Sequence, residues 1–246
     1  MSKSKVAIII PCLQAATTIE ACIASALGQS YDALHVHIQD GGSTDGTLQI
    51  LKKYTASNFS FSTESDLGVY DAINKAIQKI DADWYYILGS DDKITGLDAV
   101  ASVMALQKNP YKILYGDVRY GHRSNKLIPA VHQSQYNSSL FWKNSLHQQG
   151  AFYHASLLHP NGFDISYRIL ADYAFHIYLY RSGVQAKHTG MTLCSCSADG
   201  LSKQFTLRLY MEELRIKRKL LPTSLYLMNI PWVFAKWLIK KLAAPF

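Results

Sequence analysis

Residues 84–92 read WYYILGSDD. The aromatic and β-branched run predicts an apolar strand, and two adjacent carboxylates, Asp91 and Asp92, stand where it stops. Upstream, KVAIIIP is a second apolar run, closed by Pro11, and TIEACIASALGQ has helical spacing with Gly28 near its end. LHVHIQDGGSTDG is a short strand running into a Gly/Ser/Asp turn, TLQILKKYTA is helical, and FSFSTES is again a strand. From Val69 the apolar residues Ala72, Ile73, Ala76, Ile77 and Ile80 recur at helical spacing, which leaves Asp71, Asn74 and Lys75 on the other face. Strands alternating with helices at these lengths predict an α/β fold with a mostly parallel sheet covered on both faces. In such sheets ligands bind beyond the carboxyl ends of the strands. Pro11, Asp40 and Asp91–Asp92 each follow a different predicted strand, so they are expected along one edge.

Downstream the pattern is less regular. YKILYGDVRYG suggests a strand and ILADYAFHIYLYRSG a helix, and a basic segment, FTLRLYMEELRIKRKLL, is interrupted at Pro222 before the ending IPWVFAKWLIKKLAAPF. The 246 residues are 48% hydrophobic and 17% charged, which argues for a folded chain and against disorder. Cys12, Cys22, Cys194 and Cys196 have no C-x-x-C spacing, so zinc and disulfides are not expected and a reducing, cytoplasmic compartment is. The start reads as a buried strand rather than a signal peptide, and no apolar stretch reaches the length of a membrane span. The net charge of +7 is local. Residues 1–202 balance 16 basic against 16 acidic residues, whereas 203–246 carry 9 basic residues against Glu212 and Glu213. That excludes a basic body wrapped around nucleic acid and points to a patch meeting an anionic surface.

Adjacent carboxylates repel, and burying either is costly without a compensating cation or donors. Mg²⁺ or Mn²⁺ fits, because such an ion takes one or two protein carboxylates and completes its shell with water and substrate phosphates. The pair therefore suggests a metal-bound diphosphate, the alternative being an Asp-rich turn that caps the next helix. In QDGGSTDGT the glycines allow close backbone approach and Asp40 can accept hydrogen bonds from a ligand, while Thr44 or Asp45 can cap the following helix. Glu64 and Asp66 precede a helix N-terminus, which favours acids in any case.

These segments resemble the family-two glycosyltransferases, inverting enzymes of the GT-A fold that use nucleotide sugars. VAIIIPCLQAATTIEACIASALGQSY, IQDGGSTDGTLQIL, STESDLGVYDAINKAI, DADWYYILGSDD and ILADYAFHIYLYRSG carry the likeness. It is dense over residues 6–92 and thinner over 146–183. The resemblance implies that Pro11, Asp40, Asp66 and Asp91 line the nucleotide sugar, that Asp92 holds Mn²⁺ or Mg²⁺ on the diphosphate, and that Asp172 is the general base. It places His147, in a His-Gln element, near the diphosphate or acceptor, against the alternative of a hydrogen-bonded loop histidine. Tyr70 is expected to face the sugar. The sequence departs from the family at Gly41, where a second acid is common, at Ile73, where an arginine is common, and at Ala171, where an acid is common. These departures leave the donor base open, with a UDP-sugar the leading expectation.

The implied organisation is a GT-A domain over 1–202, with a nucleotide-sugar half to about 95 and an acceptor half from about 96, followed by a basic helical tail over 203–246. On a helical wheel from Pro231, Phe234, Ala235, Leu238, Ile239 and Leu242 share one arc and Lys236 and Lys240 another. Such a helix suits a membrane interface, its lysines reaching anionic headgroups, against the alternative of packing on its own domain. The implied function is transfer of one hexose or N-acetylhexosamine to a lipid-linked, polyprenyl-diphosphate acceptor in bacterial surface-polysaccharide (O-antigen or capsule) assembly, at the cytoplasmic face of the membrane. The competing readings are a sugar-nucleotide pyrophosphorylase, whose Gly-rich, Arg-containing loop is absent after the first strand, and a non-catalytic peripheral membrane scaffold.

Overall fold

The computed structural model describes residues 3–107, 109–121, 128–197 and 205–243. Its strands are β1 (Val6–Cys12), β2 (Leu34–Asp40), β3 (Phe59–Thr63), β4 (Trp84–Ile87), β5 (Lys93–Ile94), β6 (Ile113–Tyr120), β7 (Val131–His132), β8 (Ala151–His154) and β9 (Ala186–Cys196). Its helices are α1 (Ile19–Leu27), α2 (Thr47–Leu51), α3 (Val69–Lys79), α4 (Ala99–Met104), α5 (Ala155–Leu158), α6 (Ala171–Arg181), α7 (Leu207–Leu220) and α8 (Thr223–Ala243). The described strands join one sheet in the order β3-β2-β1-β4-β8-β6-β9-β5, with β7 on β6. The first four strands of that order run parallel, and β8 enters antiparallel to both β4 and β6.

The continuous apolar runs have a direct cause. In β1, Val6, Ile8, Ile10 and Cys12 enter one hydrophobic cluster with α1, whereas Ala7 and Ile9 enter another with α3 and α6. β4 divides in the same way, Trp84 and Tyr86 to one face, Tyr85 and Ile87 to the other. With helices on both faces, the period-two alternation leaves no polar side. Register then sets the edge: Cys12 lies opposite Asp40, Asp40 opposite Thr63, and Leu88 N donates to the Ile9 carbonyl at 3.0 Å. Because β4 pairs with β8, the two expected halves share a single sheet.

The tail differs from its sequence reading in three ways. α8 begins just after Pro222 and runs through Pro231. Pro231 lies on the exposed side, where the carbonyl left without its donor can meet water. The tail also joins the domain core, as Leu209, Tyr210, Ile216, Leu221 and Val233 are buried in the cluster that contains Tyr173 and Ile177 of α6. Finally, α8 is turned the other way round: Phe234, Leu238, Ile239 and Leu242 are exposed, whereas Lys236 and Lys240 face inward and line a cavity. Lys217, expected in the basic patch, is fully buried. The reason is a buried carboxylate, Glu213, which binds Lys217 at 2.6 Å and Lys236 at 2.5 Å and draws both ammoniums inside. No helix among the described residues is long and apolar enough to cross a membrane.

Candidate active site

Asp40 ends β2 and is completely buried. Its Oδ2 accepts from the backbone N–H groups of Gly42 and Ser43, both at 3.0 Å, and from Thr63 Oγ1 at 2.6 Å, while Oδ1 accepts from the Ser43 hydroxyl. Burial alone would raise its pKa, but these four donors outweigh it and hold the carboxyl below the ordinary range. With its oxygens taken by protein donors, Asp40 shapes the loop over 41–46. Asp66 reaches the same loop from the segment before α3. An ideal Cβ on Gly41 would lie 2.5 Å from Asp66 Oδ2, so Asp66 occupies the space that a side chain at position 41 would need. Asp66 also accepts from Gly68 N at 2.8 Å. Pro11 lies opposite Gln39, one residue before Cys12 on this edge.

Asp91 and Asp92 follow β4 on the same edge. Asp91 is exposed, whereas Asp92 is only 3% exposed and accepts from Gly89 N and Ser197 N, each at 3.1 Å. Gly89 makes room for both carboxylates, since a Cβ there would meet Asp92 Oδ2 at 2.5 Å and Asp91 Oδ1 at 3.1 Å. Burial first, and then the Asp91 charge, pushes the Asp92 carboxyl up to about 6. A buried carboxylate beside a second one, compensated by two backbone N–H groups and the Cys196 thiol but by no cation among the groups that shift its pKa, fits a hard divalent cation. Among the described residues no group of three or more His, Cys, Asp or Glu could hold a metal by itself. Asp91 and Asp92 supply the one or two carboxylates that Mg²⁺ or Mn²⁺ takes from a protein when its other ligands are substrate phosphates and water. The neighbouring Cys12 and Cys22 thiols are raised by burial first and are neutral.

Asp172 lies in the first turn of α6, is 8% exposed, and lines a cavity of about 450 Å³. Tyr70 Oη donates to its Oδ1 at 2.8 Å and Asn144 Nδ2 donates to its Oδ2 at 3.0 Å, so both oxygens have fixed directions. Burial first, and then the Asp172 charge, pushes the Tyr70 phenol far up, so it remains a donor. Tyr70 also donates to the Ile169 carbonyl at 3.1 Å. Its hydroxyl is thus engaged in holding the carboxylate. Two segments supporting Asp172 are tied to the tail. Glu212 accepts from the N–H groups of Arg168, Ile169 and Leu170 at 3.1, 2.8 and 2.7 Å, just before α6 begins. The Trp142 carbonyl, two residues before Asn144, accepts from Lys217 Nζ, Trp232 Nε1 and Lys236 Nζ at 3.1, 3.3 and 3.3 Å.

The structure thus gathers Pro11, Asp40, Asp66, Asp91 and Asp92 along one sheet edge, and Tyr70 and Asp172 meet in the cavity. His147 lines that cavity too, packed edge-on against Tyr120 and His132. Asn74, which stands beside Ile73, exchanges two 2.8 Å hydrogen bonds with the Phe163 backbone and fastens α3 to the segment leading to α6. Cys194 and Cys196 are buried neighbours on β9, as their spacing suggests. Asn144, Ser197, Glu212 and the inward lysines were not foreseen. One signal pointed at Glu212: the only two acids of the basic segment 203–246 are Glu212 and Glu213, and both are engaged internally.

The family model described as Glycosyl transferase family 2 matches residues 7–182. A PGL/p-HBAD biosynthesis glycosyltransferase of Mycobacterium bovis is 31% identical over 183 residues, which cover 72% of this chain and 70% of that protein. Among solved structures, Staphylococcus aureus TarS superposes with a TM-score of 0.70 at 17% identity, over 97% of this chain and 44% of TarS, so this chain spans less than half of that protein. TarS 1–349 in complex with UDP gives a TM-score of 0.68 at 16% identity, over 98% of this chain and 72% of that one. The mannosyltransferase PcManGT of Pyrobaculum calidifontis, solved with GDP-Man and Mn²⁺, gives 0.68 at 17% identity, over 100% and 77%.

Proposed function

This chain belongs to glycosyl transferase family 2 and has the GT-A fold, and from that premise we propose that it transfers a single hexose or N-acetylhexosamine, with inversion, from a UDP-sugar to a lipid-linked saccharide. The observation that carries this is Asp172: a carboxylate with both oxygens oriented, at the wall of a cavity large enough for a sugar, which Tyr70 of α3 lines as well, while Asp66 lies in the segment just before α3.

The chemistry is one displacement. The acceptor hydroxyl oxygen forms a bond to the anomeric carbon as the bond from that carbon to the diphosphate oxygen breaks. The hydroxyl proton passes to Asp172, and the nucleoside diphosphate leaves with the bonding pair. A carboxylate suffices as base because the transition state has oxocarbenium character, so the hydroxyl becomes acidic late. Tyr70 and Asn144 keep the carboxylate pointed and hydrogen-bonded. Pro11, Asp66 and Asp91 would border the nucleoside, on the loop that Asp40 organises. Mn²⁺ or Mg²⁺ held by Asp92 would supply positive charge to the departing diphosphate. The exposed apolar arc of α8 favours docking at a membrane, on the cytoplasmic side where nucleotide sugars are made, and a polyprenyl-diphosphate acceptor of bacterial surface-polysaccharide assembly suits that location.

Asp172→Asn tests the base, since it preserves shape while removing proton affinity. Transfer of labelled sugar should fall by about 10²- to 10⁴-fold, with donor affinity changed less than about twofold. Near-normal turnover by this variant would remove Asp172 from the reaction.

A further inference from the structure

Asn144 and Gln148 both line the cavity that holds Asp172. Each carries a buried polar atom with no hydrogen-bond partner among the described residues, Oδ1 of Asn144 and Nε2 of Gln148. Folded chains rarely leave such atoms unmet, because the hydrogen bond to water is lost and nothing replaces it. Gln148 is 8% exposed, and its segment is firmly held. Gly150 N donates to the His147 carbonyl at 3.0 Å, and the Gln149 carbonyl accepts from Tyr86 Oη at 2.7 Å and from Cys194 Sγ at 3.0 Å. A fixed backbone therefore carries an unused amide to the wall of the cavity. Asn144 is held through its other end, Nδ2, which donates to Asp172 Oδ2 at 3.0 Å. Since both ends of an amide sit on one carbon, a group bonded to Oδ1 lies beside the carboxylate that takes the proton.

The two atoms ask for opposite things. Oδ1 needs a donor, and Nε2 needs an acceptor. The phosphates of a diphosphate offer acceptors alone and leave Oδ1 unmet. A sugar hydroxyl offers both, and adjacent ring carbons set a second hydroxyl next to the one that attacks. We infer that Asn144 Oδ1 and Gln148 Nε2 bind the hydroxyl neighbouring the attacking one on the acceptor sugar, Oδ1 accepting from it and Nε2 donating to it, which makes Gln148 a specificity-determining residue. Both atoms are covered by neighbouring side chains, and the terminal torsion of an amide is broad, so a small turn brings each to the sugar. This deepens the glycosyltransferase reading and rests on it, because Asp172 is what locates the attacking hydroxyl.

Gln148→Met keeps the length of the side chain and removes the amide. Freed of an unmet donor, the variant should gain about 2 to 4 °C in Tm. A fall of that size would overturn the proposal, since the amide would then serve the fold through a buried water. Sugar binding is measured by saturation-transfer NMR on the full chain with UDP and Mn²⁺ present, the probes being methyl glucoside, galactoside, mannoside and N-acetylglucosaminide. For the tightest of these, one single-deoxy analogue should bind the unaltered chain at least about fivefold more weakly, and the loss should shrink to about twofold or less in Gln148→Met. Equal losses in both proteins, no deoxygenation that weakens binding fivefold, or no binding of any probe would each overturn it. None of these readouts needs turnover. A chain that passes them yet releases no UDP from any UDP-sugar would sink the transferase reading and leave the sugar site standing, whereas one that transfers sugar and fails them sinks the inference alone.

Discussion

Asp92 carries the clearest pH signature at the scale of single residues. Its folded pKa of about 6 lies above the ordinary value of 3.8, so the folded state holds the proton more tightly than the unfolded chain does. Its contribution to stability is fully present below pH 3.8 and is lost as the pH rises to about 6. At neutral pH the buried charge costs about 3 kcal/mol unless a cation compensates it. Mn²⁺ needs the ionised form, so Mn²⁺ with UDP should raise Tm by several degrees at about pH 7.5 and by much less at about pH 5. Asp92→Asn should abolish the increment, and an unchanged increment in that variant would place the ion elsewhere. Gly41 shows what a residue can disclose only with its neighbours. At position 41, where the resemblance leads one to expect an acid, the chain has glycine, and an ideal Cβ there would sit 2.5 Å from Asp66 Oδ2. The acid comes from a different segment of chain.

Among the elements, α6 and α7 depend on each other. The three N–H groups gathered by Glu212 belong to the residues just before α6, so Glu212 is a positioning residue for Asp172. Glu212→Ala should lower kcat about tenfold with the donor KM unchanged, and Glu212→Gln should recover part of the loss. Hydrogen exchange at the amides of Arg168, Ile169 and Leu170 should rise in the alanine variant. A fall in stability with kcat intact would reduce the residue to a structural role. Glu213 has another task, pairing two inward ammoniums between α7 and α8. Burial pushes the Lys217 ammonium down to about 8, against the pull of Glu213, so it is charged at neutral pH through that carboxylate, the Asn229 side chain and the Trp142 carbonyl. Glu213→Gln leaves these charges uncompensated and should cost about 3 to 5 kcal/mol in urea unfolding. The helices themselves were legible in the sequence. Their mutual clasp was not, because Glu213 and Lys236 are 23 residues apart and no local spacing links them.

For the whole molecule, the tail has two separable roles that a truncation would confuse. Removing 222–246 takes away Asn229, Val233, Lys236 and Lys240, and with them part of the core and a wall of the cavity. Point changes on the outward arc are cleaner. Leu238→Ser with Ile239→Ser should abolish flotation with anionic vesicles while transfer to a short-chain, water-soluble acceptor stays within about twofold, since exposed positions change stability little. Flotation retained by that double variant would remove α8 from the membrane contact.

The sequence by itself determined the parallel core and its working edge. Apolar runs that end on Pro11, Asp40 and Asp91–Asp92 are local signals, and strand direction carries their ends to the same side. It also marked α6 and Asp172, through a resemblance to a family. Only the tertiary structure decided what surrounds Asp172. Tyr70, Asn144 and Glu212 reach it or its helix from 102, 28 and about 40 residues away. Only the folded chain, likewise, turned the lysines of α8 inward. A helical wheel divides a helix into faces, but which face meets the domain depends on partners supplied by other segments, and here the buried Glu213 carboxylate made the charged face the inner one.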